Sequence, residues 1–327
     1  MRISEALQNS TDIEMVSLPS TSDGHPPGLA KLIRFPFEVS RKTLARNATV
    51  DVVHIGDFAS WPLALLCGRS GGIVISAHGT DASYPRRGGA SGRIYNAYLK
   101  LGALILRREI VAANSDATAK AVQETGWRRI EIVPLGTTMT CRNPPKAPKG
   151  HLLFVGRIIP LKGLSWFVSN VLPLLDPDIE LHVAGPLVDP QEGASLDHPR
   201  VTHLGVLDQQ QLADAYQRAL CVVVPNIVPN DGTFEGFGLI ATEASAAGGV
   251  VLASRSGGLT SAVIDKLTGF LLPPEEAEAW KEAIGRVSQW PETHRQEFVS
   301  KSLAAVDNHF RWSTVADQMI DLYRKVR

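Results

Sequence analysis

The sequence predicts an α/β protein built of two parallel-sheet domains, and three observations carry that prediction. Short apolar strands alternate with helical stretches along the chain, the rhythm of a parallel sheet with helices on both faces. The length of 327 residues is enough for two hydrophobic cores. Residues 142–150 hold three prolines and no periodicity, and the alternation restarts at His151, as expected of an interdomain linker.

In order, Arg2 to Gln8 reads as helix and Ile13 to Leu18 as a short strand. A nucleotide-binding α/β domain has a strand and a glycine-rich turn before such a helix, so the first domain (1–141) is expected to lack that strand and loop. Residues 20–40 are rich in glycine and proline and read as loop with a short helix. Asp51 to Ile55 is a strand, and Trp61 to Cys67 a helix with Pro62 in its first turn. Gly72 to Ala77 is a continuous apolar strand delivering His78-Gly79-Thr80-Asp81 at its end. Ser91 to Arg108 is a helix expected to bury Ile94, Tyr98, Leu101 and Ile105. Ile110 to Ser115 is a strand, and the helix after it is capped by Ser115 or Asp116 and ends at Gly126. Ile130 to Val133 closes the first domain.

The second domain (151–310) opens with the strand His151 to Gly156, the turn Arg157 to Gly163 and a helix to Leu175. Strands at Ile179 to Ala184 and Val201 to Leu204, a helix from Gln209 to Ala219 and the apolar strand Cys221 to Val224 follow. A loop then leads into Glu235-Gly236-Phe237-Gly238, which opens a helix running to about Ala247. Another buried strand covers Val250 to Ala253, and an amphipathic segment, 311–327, ends the sequence.

Hydrophobic residues at 44% and charged residues at 20% describe a globular chain rather than a disordered one. The longest apolar runs, such as Leu101 to Leu106, are too short to span a bilayer, and no signal peptide is evident, so a cytoplasmic location is expected. Cys67, Cys141 and Cys221 lie far apart without a C-x-x-C pair, which argues against disulfides and zinc. The net charge is zero but uneven. Residues 1–150 hold 19 basic and 12 acidic side chains, and residues 151–327 hold 14 and 21, so the first half is expected to face something anionic. Arg86, Arg87, Arg93, Lys100, Arg107 and Arg108 gather on or beside the long helix. They form either a solvated face or a surface for anionic lipid or a lipid-linked acceptor, with peripheral membrane association as the consequence. Nucleic acid is not expected, because no recognisable module is present and the isoelectric point is near neutral.

Glu235 and Glu243 are two carboxylates eight residues apart at a strand–loop–helix junction. A helix start there offers unpaired donors to an anionic or hydroxyl-rich ligand. Taken alone, the pair could equally be a helix start with one carboxylate on a solvated face. Arg157 and Lys162 flank the turn after a strand and suit a diphosphate, though a lone R-x4-K is usually two surface cations. His78 follows a buried strand, where a structural histidine is the ordinary reading, and Asp81 reads as a capping residue. Gly257-Gly258 and the Leu204-Gly205-Val206 bend read as turns.

The EGFG run with Glu243-Ala244, the strand 250–253 and Ser256-Gly257-Gly258-Leu259, together with G-R-x4-K-G at 156–163, resembles the group-one retaining glycosyltransferases, glycosyltransferase family 4. The resemblance is specific in the second half and looser in the first, through His78 and the Asn114-Ser115 strand end. It implies the GT-B fold, two Rossmann-like domains facing a cleft, with residues 311–327 crossing back to the first domain. It also implies transfer of a hexosyl group from a nucleotide-diphosphate sugar to the hydroxyl of a glycan, lipid-linked saccharide or small molecule. By resemblance, Arg157 and Lys162 neutralise the leaving diphosphate and Glu235 orients the sugar hydroxyls. Backbone groups of Phe237, Gly238 and Leu239 contact the donor, Glu243 meets the ribose, Gly205 and Val206 lie by the base, and His78 contacts the sugar. No D-x-D pair is positioned to hold a metal on the diphosphate, so turnover without a metal or other cofactor is expected, the two cations taking the metal's place. The alternatives are a nucleotide-sugar-binding scaffold with impaired turnover, or a GT-B nucleotide-sugar epimerase.

Overall fold

The computed structural model describes residues 2–8, 11–16, 35–41, 50–66, 71–141 and 150–327. The expected linker, apart from Gly150, lies outside the described residues, as do most of the expected 20–40 loop and Cys67. Two all-parallel sheets result. The first has the order β1-β2-β3-β4, from β1 (Val52–Ile55), β2 (Gly72–Ala77), β3 (Ile110–Ala113) and β4 (Ile130–Ile132). The second has the order β10-β9-β8-β5-β6-β7, from β5 (His151–Val155), β6 (Glu180–Ala184), β7 (Val201–Gly205), β8 (Cys221–Val224), β9 (Val251–Ser254) and β10 (Phe270–Leu272). Strand order in this sheet reverses between β5 and β8, so their carboxyl ends border the crevice where doubly wound sheets take ligands.

Among the described residues the principal helices are α1 (Arg2–Leu7), α2 (Gly89–Ile105), α3 (Asp116–Glu124), α4 (Gln209–Arg218), α5 (Leu239–Ala246), α6 (Ala277–Ser288), α7 (Glu292–His309) and α8 (Trp312–Val326). Each strand sends alternate side chains to opposite faces. On β2, Ile75 joins a cluster with Phe58, Trp61, Leu99 and Trp127, whereas Val74 joins Ile110, Ala112 and Leu7 on the other face. Val315, Ala316, Met319 and Leu322 of α8 cover that second face. Burying each Val, Met or Leu there contributes about 2 kcal/mol.

Several expectations give way to the structure. Residues 13–16 form no strand. The segment expected as helix from Trp61 is a 3₁₀ helix over Phe58–Leu66, with Pro62 inside it. The helix after Gly163 passes into a π-helical stretch, Phe167–Val171, and a 3₁₀ turn, Leu172–Leu174, because Pro173 has no N–H and crowds the preceding turn.

The largest correction concerns α2, where Ile94, Leu101 and Ile105 point outward, 71%, 50% and 46% exposed. The buried residues are Gly92, Leu99, Gly102 and Ala103. A Cβ on Gly102 would lie 2.8 Å from the Trp61 ring and 3.0 Å from the Trp127 ring. Gly102 is therefore a notch for two tryptophans, and Trp127 Nε1 donates to the Leu99 carbonyl at 3.2 Å. Those rings fix which of the two apolar stripes turns inward.

His54 ties α8 to the first sheet, with Nδ1 at 2.6 Å from the Tyr323 hydroxyl and Nε2 at 2.8 Å from Ser76 Oγ. Burial, aided by the nearby His78, lowers its pKa to about 4. The unfolded chain takes up this proton near pH 6.5, the folded chain only near 4. Stability should therefore fall as pH drops through that window, by about 3 kcal/mol from this residue. Urea denaturation of wild type and His54→Gln between pH 7.5 and 4 checks this: the variant should lose most of the pH dependence, and equal slopes would refute the assignment.

Candidate active site

Lys162 and Glu235 meet in an ion pair, their side chains 13% and 17% exposed. Local backbone sets this up. Gly163 adopts φ 72°, and a Cβ there would lie 2.0 Å from the Pro225 carbonyl oxygen, so the 160–163 turn sits directly on the loop leaving β8. The Ile227 amide donates to the Leu161 carbonyl at 3.2 Å and fastens the two. Below Glu235, the Gly258 amide donates to the Glu235 carbonyl at 2.7 Å, which makes the Ser256–Gly258 turn a support for the site rather than a plain bend.

Sequence reasoning passed over Asn226. It is 1% exposed, and its Nδ2 donates to Glu235 Oε2 at 3.0 Å, the same oxygen that receives Lys162. Two donors on Oε2 leave Oε1 as the less engaged acceptor, and an ammonium has three donors, so Lys162 can hold Glu235 and still meet an anion. An asparagine directly behind Pro225 at the end of an apolar strand was the available signal.

The first domain reaches this site through Gly236. Ser115 Oγ donates to the Gly236 carbonyl at 2.6 Å and Thr118 Oγ1 does so at 3.3 Å. The Ser115 hydroxyl also caps α3, accepting from the Thr118 amide at 3.1 Å. Asp116 and Ser261 exchange hydrogen bonds beside them, at 3.1 and 2.9 Å. A Cβ on Gly236 would lie 2.3 Å from the His78 carbonyl oxygen, so this glycine serves the contact between domains. His78 itself is exposed. Its Nε2 donates to the Gly56 carbonyl at 3.0 Å, which fixes the ring and leaves Nδ1 for a ligand. Asp81 accepts the His78 amide at 2.9 Å and those of Ala82 and Phe58 at 2.9 and 3.3 Å; burial raises its pKa against the pull of those amides.

The Lys162–Glu235 pair and the Gly236 backbone thus lie against the backbone of His78. Arg157 is exposed beyond the end of β5, with no ion pair among the described residues. Phe237 is 2% exposed, its ring packed edge-on to Phe310 at 6.1 Å, so only its backbone is available to a ligand. Gly238 caps α5 in the left-handed region, and Leu239 begins the helix. Glu243 lies in the second turn, close enough that its charge adds to the burial that pushes the Tyr216 hydroxyl upward. Gly205 and Val206 stand further along the same edge: the Gly185 amide donates to the Gly205 carbonyl at 2.8 Å, and a Cβ on Gly185 would meet the Gly156 carbonyl. Val206 is 74% exposed.

The contact between the domains can be tested directly. Gly236→Ala should force them apart and cost about 1–3 kcal/mol. Ser115→Ala should cost about 1–2 kcal/mol through the lost cap and hydrogen bond. Thermal unfolding with small-angle scattering reads both effects; a Gly236→Ala protein of unchanged stability and radius would refute the contact.

Comparison with known proteins follows the division into two sheets. A family model described as Glycosyl transferases group 1 matches residues 149–289, and one described as Glycosyltransferase Family 4 matches residues 5–139. A D-inositol 3-phosphate glycosyltransferase of Streptomyces griseus is 35% identical over 241 residues, covering 64% of this chain and 49% of the relative. One from a Nocardioides species is 28% identical over 255 residues, covering 67% and 54%. The chain thus spans about half the length of the curated relatives it matches. Among solved structures, the sucrose-phosphate synthase of Thermosynechococcus elongatus superposes with a TM-score of 0.69 at 24% identity, over 94% of this chain and 82% of that one. Anabaena Alr3699/HepE, solved with UDP and glucose, gives 0.67 at 17% identity over 91% and 83%. These likenesses show the fold, two parallel-sheet α/β domains of the GT-B type. Among the described residues no helix is long and apolar enough to cross a membrane.

Proposed function

Because the chain belongs to the group 1, family 4 glycosyltransferases, we propose that it transfers a hexosyl group from a nucleotide-diphosphate sugar to an acceptor hydroxyl, with retention of configuration and without a metal. The observation that carries this reading is the Lys162–Glu235 pair at the strand-order reversal, beside the contact of Gly236 with the His78 backbone. The donor class is supported by Alr3699/HepE, solved with UDP and with UDP-glucose. An acceptor bearing several hydroxyls accords with the inositol phosphate in the actinobacterial relatives' name.

In this reading the diphosphate lies over the Arg157–Gly163 turn. Arg157 and the free donors of Lys162 neutralise the charge that develops as the bond to the sugar breaks. Glu235, steadied by Asn226, orients sugar hydroxyls through Oε1. The amides of Phe237, Gly238 and Leu239 contact the donor, Glu243 the ribose, and Gly205 and Val206 the base. His78 contacts the sugar where positive charge develops. A departing diphosphate oxygen takes the acceptor proton, so no separate nucleophile is needed.

Melting with a panel of UDP-, GDP- and ADP-sugars is the first test. A donor at about 100 times its Kd should add about 2.7 kcal/mol of stability, and Arg157→Ala and Glu243→Ala should reduce the shift. Arg157→Ala or Lys162→Ala should slow turnover about a hundredfold, roughly 3 kcal/mol. Asn226→Ala should lower kcat more than it raises KM. Coupling constants of the product's anomeric proton should show the donor's configuration, and EDTA should leave the rate unchanged. Donor binding without transfer to any acceptor would leave a binding scaffold instead. Inversion would refute retention, and activity lost in EDTA and restored by Mg²⁺ would refute the metal-free reaction.

A further inference from the structure

The outward stripe of α2 is an unusual surface for a helix in water. Ile94 and Leu104 are each 71% exposed, Leu101 50% and Ile105 46%, and at 100° per residue they fall on one side of the helix. Arg93 and Lys100 lie along one edge of the stripe, beside Leu104, about 100–120° around the helix from Ile94, and Arg107 and Arg108 continue past the helix end. No acidic residue occurs between Gly89 and Arg108. Arg93 Nε donates to the Gly89 carbonyl of its own helix at 3.2 Å. Among the described residues, none of Arg93, Lys100 and Arg107 has a carboxylate partner. Arg86 and Arg87 do not belong to this face: the first pairs with Glu124 at 2.9 Å and the second lies over the Tyr84 ring.

We propose that this face of α2 docks on an anionic lipid bilayer, the helix lying in the interfacial plane with its apolar stripe below the headgroups and its cations among them. Apolar centre and basic rim are what such an interface requires. A second copy of the chain would set cations against cations, which disfavours self-association through the same face. Nucleic acid would leave the apolar stripe uncovered. Docking would also bring the loop before Glu235 near the membrane, since Arg86, just ahead of α2, packs over the Phe234 ring at 5.2 Å. That the acceptor is therefore presented at the bilayer rests on the transfer reading above; the docking itself does not.

The test is co-sedimentation of the full chain with vesicles of phosphatidylcholine alone or with about a third phosphatidylglycerol, without donor or acceptor. Binding should require phosphatidylglycerol and fall as salt shortens the screening length. Arg93→Gln with Lys100→Gln should weaken partitioning about thirtyfold, at about fivefold per cation. Ile94→Ser with Leu104→Ser, both on exposed positions, should also weaken it while leaving stability and any donor-induced melting shift intact. Four results would overturn the proposal: wild type staying in the supernatant at low salt, equal binding to both vesicles, no effect of the serine pair, or a dimer in sedimentation velocity that the serine pair dissolves. Vesicle binding by a chain that transfers no sugar would support the docking face and count against the enzymatic reading alone, so the two failures are separable.

Discussion

The carbonyl of Gly236 is the point on which the rest of the arrangement hangs. It receives the hydroxyls of Ser115 and Thr118 from the first domain, while its Cα fills a gap beneath the His78 carbonyl too small for any side chain. Glu235, one residue upstream, is held by the Gly258 amide on its own domain's side. The position of its carboxylate is thus a property of both domains together. Anything that parts them moves the carboxylate relative to His78.

The electrostatics follow from that constraint. A largely buried ion pair gives back most of its Coulomb energy as lost hydration, and it is tolerated where further hydrogen bonds compensate. Asn226 supplies one such bond to Glu235. Arg157, by contrast, is exposed just past the end of β5, with no ion pair among the described residues. One cation is therefore held by a neighbour and the other is not, a division that, in the proposed reaction, suits a group whose charge grows as the bond breaks.

Much of the fold was readable because buried parallel strands announce themselves as continuous apolar runs: Ile73 to Ala77 and Cys221 to Val224 needed no tertiary information. The glycines of the EGFG run and of the 156–163 turn marked the crevice in the same way. What escaped depended on contacts made across the chain. Asn226 is an unremarkable polar residue until Glu235 folds beside it. The inward face of α2 was ambiguous because two apolar stripes share one helix, and only Trp61 and Trp127 decide between them. Glycines at 92 and 102 inside a helical pattern were the local clue to a close-packed face. Resemblance to a family supplied roles for single residues, but nothing in the spacing alone distinguishes Arg157 from a solvated arginine.

The hydrogen bond between His54 and Tyr323 joins residues 269 positions apart. During translation, at about 5–20 residues per second, β1 and β2 leave the ribosome many seconds before α8 exists. Through that interval Val74, Ile110 and Ala112 lack the helix that covers them, and the first domain must wait as an unsealed half-core or be shielded by a chaperone. The second domain, whose strands β5 to β10 follow one another in sequence, carries no such delay. Nascent chains stalled before Trp312 would accordingly leave that face of the first sheet uncovered.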